Sequence, residues 1–437
     1  MSKKTSIKLE NCRFIVTQNN DKIFRNSSIL IENGKIVEIS GKIAVEADYT
    51  IDCSDKICIP GLINTHTHAP MSLFRGYADD LPLKEWLSNK IWPLERKLKE
   101  DHCYIGALLS CIEMVKSGTT LFWDMYFYPT MTVKAASDIG LKAIISIGVF
   151  DFNDAFLREK MIKDIYTFLN NIKDYEPRVI GALGPHSPYT CSDELLLKCK
   201  EIADKDNRLI QIHLAETMEE QYEFQEKHGK REVEYLHELG FLSPNLLAVH
   251  CVWLSKNEIR LLGDNNVKIS HCPTSNMKLA VGGVLPLNEC LKNNIVVSLG
   301  TDGAASNNSL NMFEVMKICA LIHKHHTINP SIAPAKLVFD FGTINGAAAI
   351  NYINSLGKIV EGGFADLVVL NMKSPNMMPL FENNIISHIV YAGISQANVS
   401  HVIIDGEIVL LNGSLTKVDE GKLYEEVEKT FLNLFTD

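Results

Sequence analysis

Between residues 58 and 302 the chain alternates short apolar bursts with longer amphipathic stretches, and nearly every burst ends on a polar side chain. The bursts are CIPGLINTHTH, TLFWDMY, KAIISIGVF, RVIGALGPH, LIQIHLAE, NLLAVHC, VKISHCP and VVSLGTD. Runs of that length, nearly continuous in Val, Ile and Leu, read as strands buried on both faces. The segments between them, such as DELLLKCKEIADKDN and NEIRLLGDNN, carry apolar residues at helical spacing. Eight strands alternating with helices predict an α/β fold, a closed (β/α)8 TIM-type barrel. A doubly wound open sheet needs a glycine-rich nucleotide fingerprint after its first strand, and none is present.

The ends of the chain follow a different rhythm. SIKLENCRFIV and SSILIENGKIVEIS precede the barrel pattern, with Asn33-Gly34 between two apolar runs. ADLVVLNM and SHVIIDGEIVLLNG follow it, with Asp405-Gly406 in the same position. Asn-Gly and Asp-Gly between alternating runs are hairpin signals. Two such regions bracketing a long insert predict one small β-sandwich built from both chain termini. The expected division is residues 1–58 for its first part and 59–355 for the barrel. Residues 356–437 supply its second part and a C-terminal helix.

Composition narrows the function classes. With 46% hydrophobic and 22% charged residues, the chain has the balance of a globular protein with a sizeable core. A formal net charge of -10, without basic clusters, repels phosphate backbones and anionic lipid, so no nucleic-acid or membrane partner is expected. The eleven cysteines include no C-x-x-C pair and several lie in apolar runs, which suits thiols in a reducing compartment. With no apolar signal core at the N-terminus, the expected location is cytoplasmic. A homo-oligomer is left open.

The polar tips carry the chemistry. His66 and His68 end the first strand, His186 the fourth, and His213 with Glu216 the fifth. His250 ends the sixth, His271 the seventh and Asp302 the eighth. In a closed parallel barrel these tips meet on one face, where barrel enzymes place their active sites. Residues two apart on a strand point the same way, so His66 and His68 can share one cation. With His213 and Asp302 they complete an N3O ligand set that leaves a position for water. Such donors suit one divalent ion, zinc first, with Fe2+, Mn2+ or Co2+ left open. Asp302 could instead cap the following helix. An aspartate directly ending an apolar strand, however, needs a cation or donors.

The stretches PGLINTHTHAPMSLFRGYADDLPLKEWL, GPHSPYTCS, IHLAET, AVHCVWL, SHCPTSNMKL and SLGTDGAASNNSLNMFEVM resemble the amidohydrolase superfamily. More narrowly they resemble the 5-methylthioadenosine/S-adenosylhomocysteine deaminases, close to the 5'-deoxyadenosine deaminases. The resemblance implies hydrolytic removal of the C6 amino group from an adenosine derivative, with a small nucleoside as substrate. It implies His66, His68, His213 and Asp302 as metal ligands. Glu216, His250 and Asp302 would be the proton-transfer groups, with Glu216 and Asp302 also touching substrate. Binuclear relatives carry a bridging lysine at the end of the fourth strand, where this chain has GALGPH, so a single ion is implied.

By the same match Glu95 and His186 would bind substrate, Glu95 through the ribose hydroxyls. Their bland alternatives are a solvated helix charge and a loop hydrogen bond. Trp86 and Trp92 could line the pocket against the purine or thioether, with packing of the lid helix the favoured expectation. Ile147 stands where related deaminases place an arginine, and Arg158 is a candidate for a second family arginine. The rival readings are another reaction of the superfamily (guanine or cytosine deamination, triazine dechlorination) and a non-catalytic scaffold.

Overall fold

The computed structural model describes residues 6–352 and 356–436. The expected boundary at residue 355 therefore lies outside the described residues.

The central part forms an eight-stranded parallel sheet in strict sequence order. Its strands are Leu62–Thr67, Thr119–Tyr126, Lys142–Val149, Val179–Pro185, Ile210–Leu214, Leu246–His250, Lys268–His271 and Val297–Leu299. These are the eight apolar bursts of the sequence. Closure comes where the first and last strands meet: Thr65 Oγ1 donates to the Leu299 carbonyl, and the Asp302 N–H donates to the His66 carbonyl at 3.0 Å. At this seam a Cβ on Gly300 would lie 2.8 Å from His66 Cβ, so glycine lets the strands approach.

Side-chain parity then layers the interior. Ile63, Leu121, Trp123, Ile144, Ala182 and Leu247 come from five different strands yet form one apolar cluster, which plugs the lower barrel. The Trp123 indole N–H donates to Ser146 Oγ, and Gln211 Nε2 lies 3.2 Å from the same hydroxyl. A polar layer thus rests on an apolar floor. The strand-tip side chains lie directly above it.

The terminal regions assemble one nine-stranded mixed sheet. Strand Lys56–Pro60 pairs antiparallel with Leu367–Asn371, joining the two ends of the chain. The sheet curls around its own core, which includes Ile7, Ile15, Ile29, Ile36, Leu367 and Ile403. Both turn signals hold, with positive φ at Asn33, Gly34, Asp405 and Gly406. The two turns also touch. A Cβ on Gly34 would sit 2.8 Å from the Asp405 carbonyl oxygen. Helix Glu420–Thr436 ends the chain and packs on helix Glu100–Lys116. All eleven cysteines are buried and free. No helix among the described residues is long and apolar enough to cross a membrane.

Candidate active site

The mouth of the barrel draws together His66, His68, His213, His250, Glu216 and Asp302. His66 Nε2 lies 3.3 Å from His213 Nε2 and 3.4 Å from Asp302 Oδ1, and His68 Nε2 lies 3.3 Å from that same oxygen. Tetrahedral sites with bonds of about 2.0–2.1 Å hold neighbouring donors about 3.3 Å apart, so these atoms already have the spacing of a cation cage.

The far side of each imidazole explains the orientation. His66 Nδ1 is 2.7 Å from Gln211 Oε1, His68 Nδ1 is 2.6 Å from the Met125 carbonyl, and His213 Nδ1 is 2.8 Å from the His186 carbonyl. Each acceptor fixes a proton on Nδ1 and leaves the Nε2 lone pair facing inward, as a metal ligand requires. Burial favours the neutral rings: it lowers His68 to about 4 and pulls His213 well below the usual imidazole range. Asp302 stays ionised despite its burial, held well below the ordinary carboxylate range by the surrounding histidines. Its Oδ2 accepts from Ser275 Oγ at 2.5 Å and Ser306 Oγ at 3.0 Å, and Oδ1 accepts from the Gly303 N–H at 2.8 Å. Asp302 therefore also meets the helix entry that the capping alternative invoked. Its four-sided environment suits ligation as well.

Glu216 and His250 stand beside this cage. His250 Nε2 lies 3.6 Å from Glu216 Oε2, and the His250 ring stacks on His213 at 5.4 Å between centroids. Burial, then the nearby Glu220 and Asp302 charges, push the Glu216 carboxyl well above its usual range, which favours the protonated acid. Burial lowers His250 to about 3. The backbone that presents these groups is unusual. Ala215, His250, Cys251 and Asp302 all have φ between 51° and 70°, a left-handed conformation that non-glycine residues rarely adopt. Such residues persist where surrounding packing over-determines them, as at functional sites.

Glu95 reaches the same region from the connection after the first strand. Residues 83–95 are helical, with a π-helical turn at Leu87–Ile91 just before Pro93 removes a backbone donor. Tyr126 Oη donates to Glu95 Oε1 at 2.7 Å. Burial lifts the Glu95 carboxyl to about 7, opposed by that hydrogen bond. Trp86 is buried with its indole N–H on the Ala78 carbonyl, and Trp92 is half-buried. His186 lies with its ring 4.8 Å from His213 and its Nδ1 near Ser187 and Thr190 hydroxyls.

Two of the candidate residues, one at a strand end and one on helix Ala155–Asn171, are engaged elsewhere. His271 ends the seventh strand, but its Nε2 meets His323 Nε2 at 3.2 Å, away from the cage. Arg158 pairs with Asp151 at 3.1 Å and with Ser192 Oγ at 2.9 Å. Ile147 is buried. Sequence reasoning missed Gln211, Tyr126, Ser275, Asn276 and Ser306. Gln211 was within reach, since it stands two residues before His213 and must share its face. Tyr126 was also within reach, as the last residue of the second strand; the remaining three meet the site through tertiary contacts that no spacing encodes.

Comparison with known proteins agrees with this geometry. The model of the amidohydrolase family matches residues 57–409. A 5'-deoxyadenosine deaminase of Methanocaldococcus jannaschii is 46% identical over 411 residues, 93% of this chain and 96% of that protein. A 5-methylthioadenosine/S-adenosylhomocysteine deaminase of Thermococcus sibiricus is 47% identical over 386 residues, covering 88% and 90% of the two chains. The crystal structure of an adenosine deaminase from Xanthomonas campestris with bound zinc superposes with a TM-score of 0.93 at 28% identity, covering 99% of each chain. With a family model spanning most of its length and relatives aligned almost end to end, the chain belongs to the amidohydrolase family.

Proposed function

We propose that the protein hydrolytically deaminates the adenine ring of a small adenosine derivative, converting the C6 amino group to oxo and releasing ammonia. The observation that carries this reading is a buried acid, Glu216, set 3.6 Å from His250 and beside three convergent imidazoles and an ionised Asp302. The names of the aligned relatives point to the same reaction.

His66, His68, His213 and Asp302 would hold one divalent ion, zinc by the character of the donors. Bound there, it would lower the pKa of a water toward neutrality. The chain's own residues do the rest. Glu216 delivers its proton to ring nitrogen N1, which makes C6 electrophilic. Asp302 and His250 orient the attacking water, and Asp302 accepts its proton as the C6–O bond forms. A second proton transfer to the amino group lets the C6–N bond break, and ammonia leaves. Glu95 accepts hydrogen bonds from the ribose hydroxyls and His186 contacts the base.

The position at which related deaminases place an arginine for the substrate tail holds Ile147. Ile147 is apolar, and Arg158 already pairs with Asp151. That favours 5'-deoxyadenosine, 5-methylthioadenosine or adenosine over S-adenosylhomocysteine, whose carboxylate would lack a cation there. Ammonia release from a panel of purines, nucleosides and pyrimidines tests the reading. Turnover of adenosine-type compounds is expected. Activity on free guanine, cytosine or a triazine alone would overturn it.

A further inference from the structure

Ser275 and Asn276 are consecutive residues on the short helix Pro273–Lys278, immediately after the seventh strand. Ser275 holds Asp302, and Asn276 holds His250: its Nδ2 lies 3.0 Å from His250 Nδ1. The Asn276 side chain is buried, and its backbone is pinned at both ends. Its N–H donates to the Cys272 carbonyl at 3.0 Å, and its carbonyl accepts from the Val281 N–H at 3.1 Å. A carboxamide that presents its Nδ2 to a ring nitrogen selects which nitrogen of its neighbour carries the proton.

We infer that Asn276 is a positioning residue that fixes the tautomer of His250, and thereby makes His250 a hydrogen-bond donor at the site. The inference rests on the deaminase reading and divides its proton work. The Asn276 amide donates to Nδ1, so the neutral ring carries its proton on Nε2. That nitrogen faces Glu216 Oε2 at 3.6 Å. With His250 Nε2–H facing Oε2, the acidic proton of Glu216 belongs on Oε1, free for the substrate nitrogen. Asn276 thus donates to His250, whose opposite nitrogen faces Glu216. A ring already protonated on Nε2 cannot take a proton from water there, so Asp302 is the acceptor for that proton. The helix after the seventh strand would therefore assign both roles at once, through Ser275 to Asp302 and through Asn276 to His250.

Long-range 1H–15N correlation spectra of the metal-loaded protein labelled in histidine test this, with the His250 ring identified by its disappearance in His250→Gln. The wild type is expected to show a protonated Nε2 and a bare Nδ1. Asn276→Asp, which can only accept, should move the proton to Nδ1. Asn276→Leu should lose the fixed tautomer and lower kcat about 10- to 100-fold, with KM and metal content little changed. A merely structural asparagine would leave the tautomer untouched in both variants. A wild-type ring protonated on Nδ1 would overturn the inference, as would Asn276→Leu with an unchanged tautomer and kcat. Should either variant fail to fold, the wild-type spectrum alone decides. The spectrum needs no turnover, so its outcome is separate from failure of the deaminase reading, which the substrate panel registers.

Discussion

Among the described residues, two groups of largely buried side chains satisfy simple proximity. His66, His68 and His213 crowd together at the barrel mouth, and His271, Cys319 and His323 crowd together between the seventh strand and helix Met312–Thr327. In the first group each Nδ1 is tied to an oxygen acceptor, so three Nε2 lone pairs converge beside an ionised carboxylate. In the second, His271 and His323 direct their Nε2 atoms at each other, and His271 Nδ1 has no partner among the described residues. Burial also lifts the Cys319 thiol to about 12, so in the free protein it is the neutral thiol. Closeness alone does not make a ligand set. The groups behind the imidazoles do.

The contrast can be broken most severely at the first cluster. His213→Ala should abolish both bound metal and turnover, measured by elemental analysis and ammonia release. Metal retained at full stoichiometry in that variant would place the ion elsewhere. Glu216→Gln is expected to keep the ion and lose about 10²- to 10⁴-fold in kcat, the scale of general acid catalysis. Near-normal turnover would remove Glu216 from the chemistry.

The next effect is a pH dependence. Burial raises Glu95 to about 7, so the carboxylate that accepts from ribose exists above that pH and is lost below it. The kcat/KM for nucleosides should therefore fall as pH drops from 8 to 6, approaching about tenfold per unit. Glu95→Gln should weaken binding and flatten that limb; a wild-type profile flat across the range would count against a ribose contact. The smallest change is expected at the second cluster. His323→Ala should cost about 1–3 kcal/mol of stability by leaving His271 without its partner, yet leave metal content and kcat unchanged. Loss of metal in a folded His323→Ala would show that the two clusters are not distinct in kind.

Much of this was legible in the sequence because strand parity and strand ends are local properties. The eight apolar bursts are the eight barrel strands, and His66, His213, His250, Glu216 and Asp302 meet at their tips. The hairpin signals at Asn33-Gly34 and Asp405-Gly406 are local too. What the two ends do to each other is not: the pairing of Lys56–Pro60 with Leu367–Asn371 joins them in a single sheet and brings the two turns into contact. His271 shows the limit clearly. It ends a strand as His250 does, but the side its ring faces depends on a helix more than forty residues away, where His323 waits at 3.2 Å. Arg158 likewise looked available until folding placed Asp151 and Ser192 beside it. Asn276 lacked any spacing signal because its partner lies on a different strand end.

X-ray absorption on the zinc-loaded protein addresses the two clusters in one experiment. A shell of nitrogen and oxygen at about 2.0–2.1 Å, with the outer scattering of three imidazoles, is the result expected of His66, His68, His213 and Asp302. A sulfur scatterer at about 2.3 Å would put the ion on a cysteine, outside these four ligands, and contradict the account.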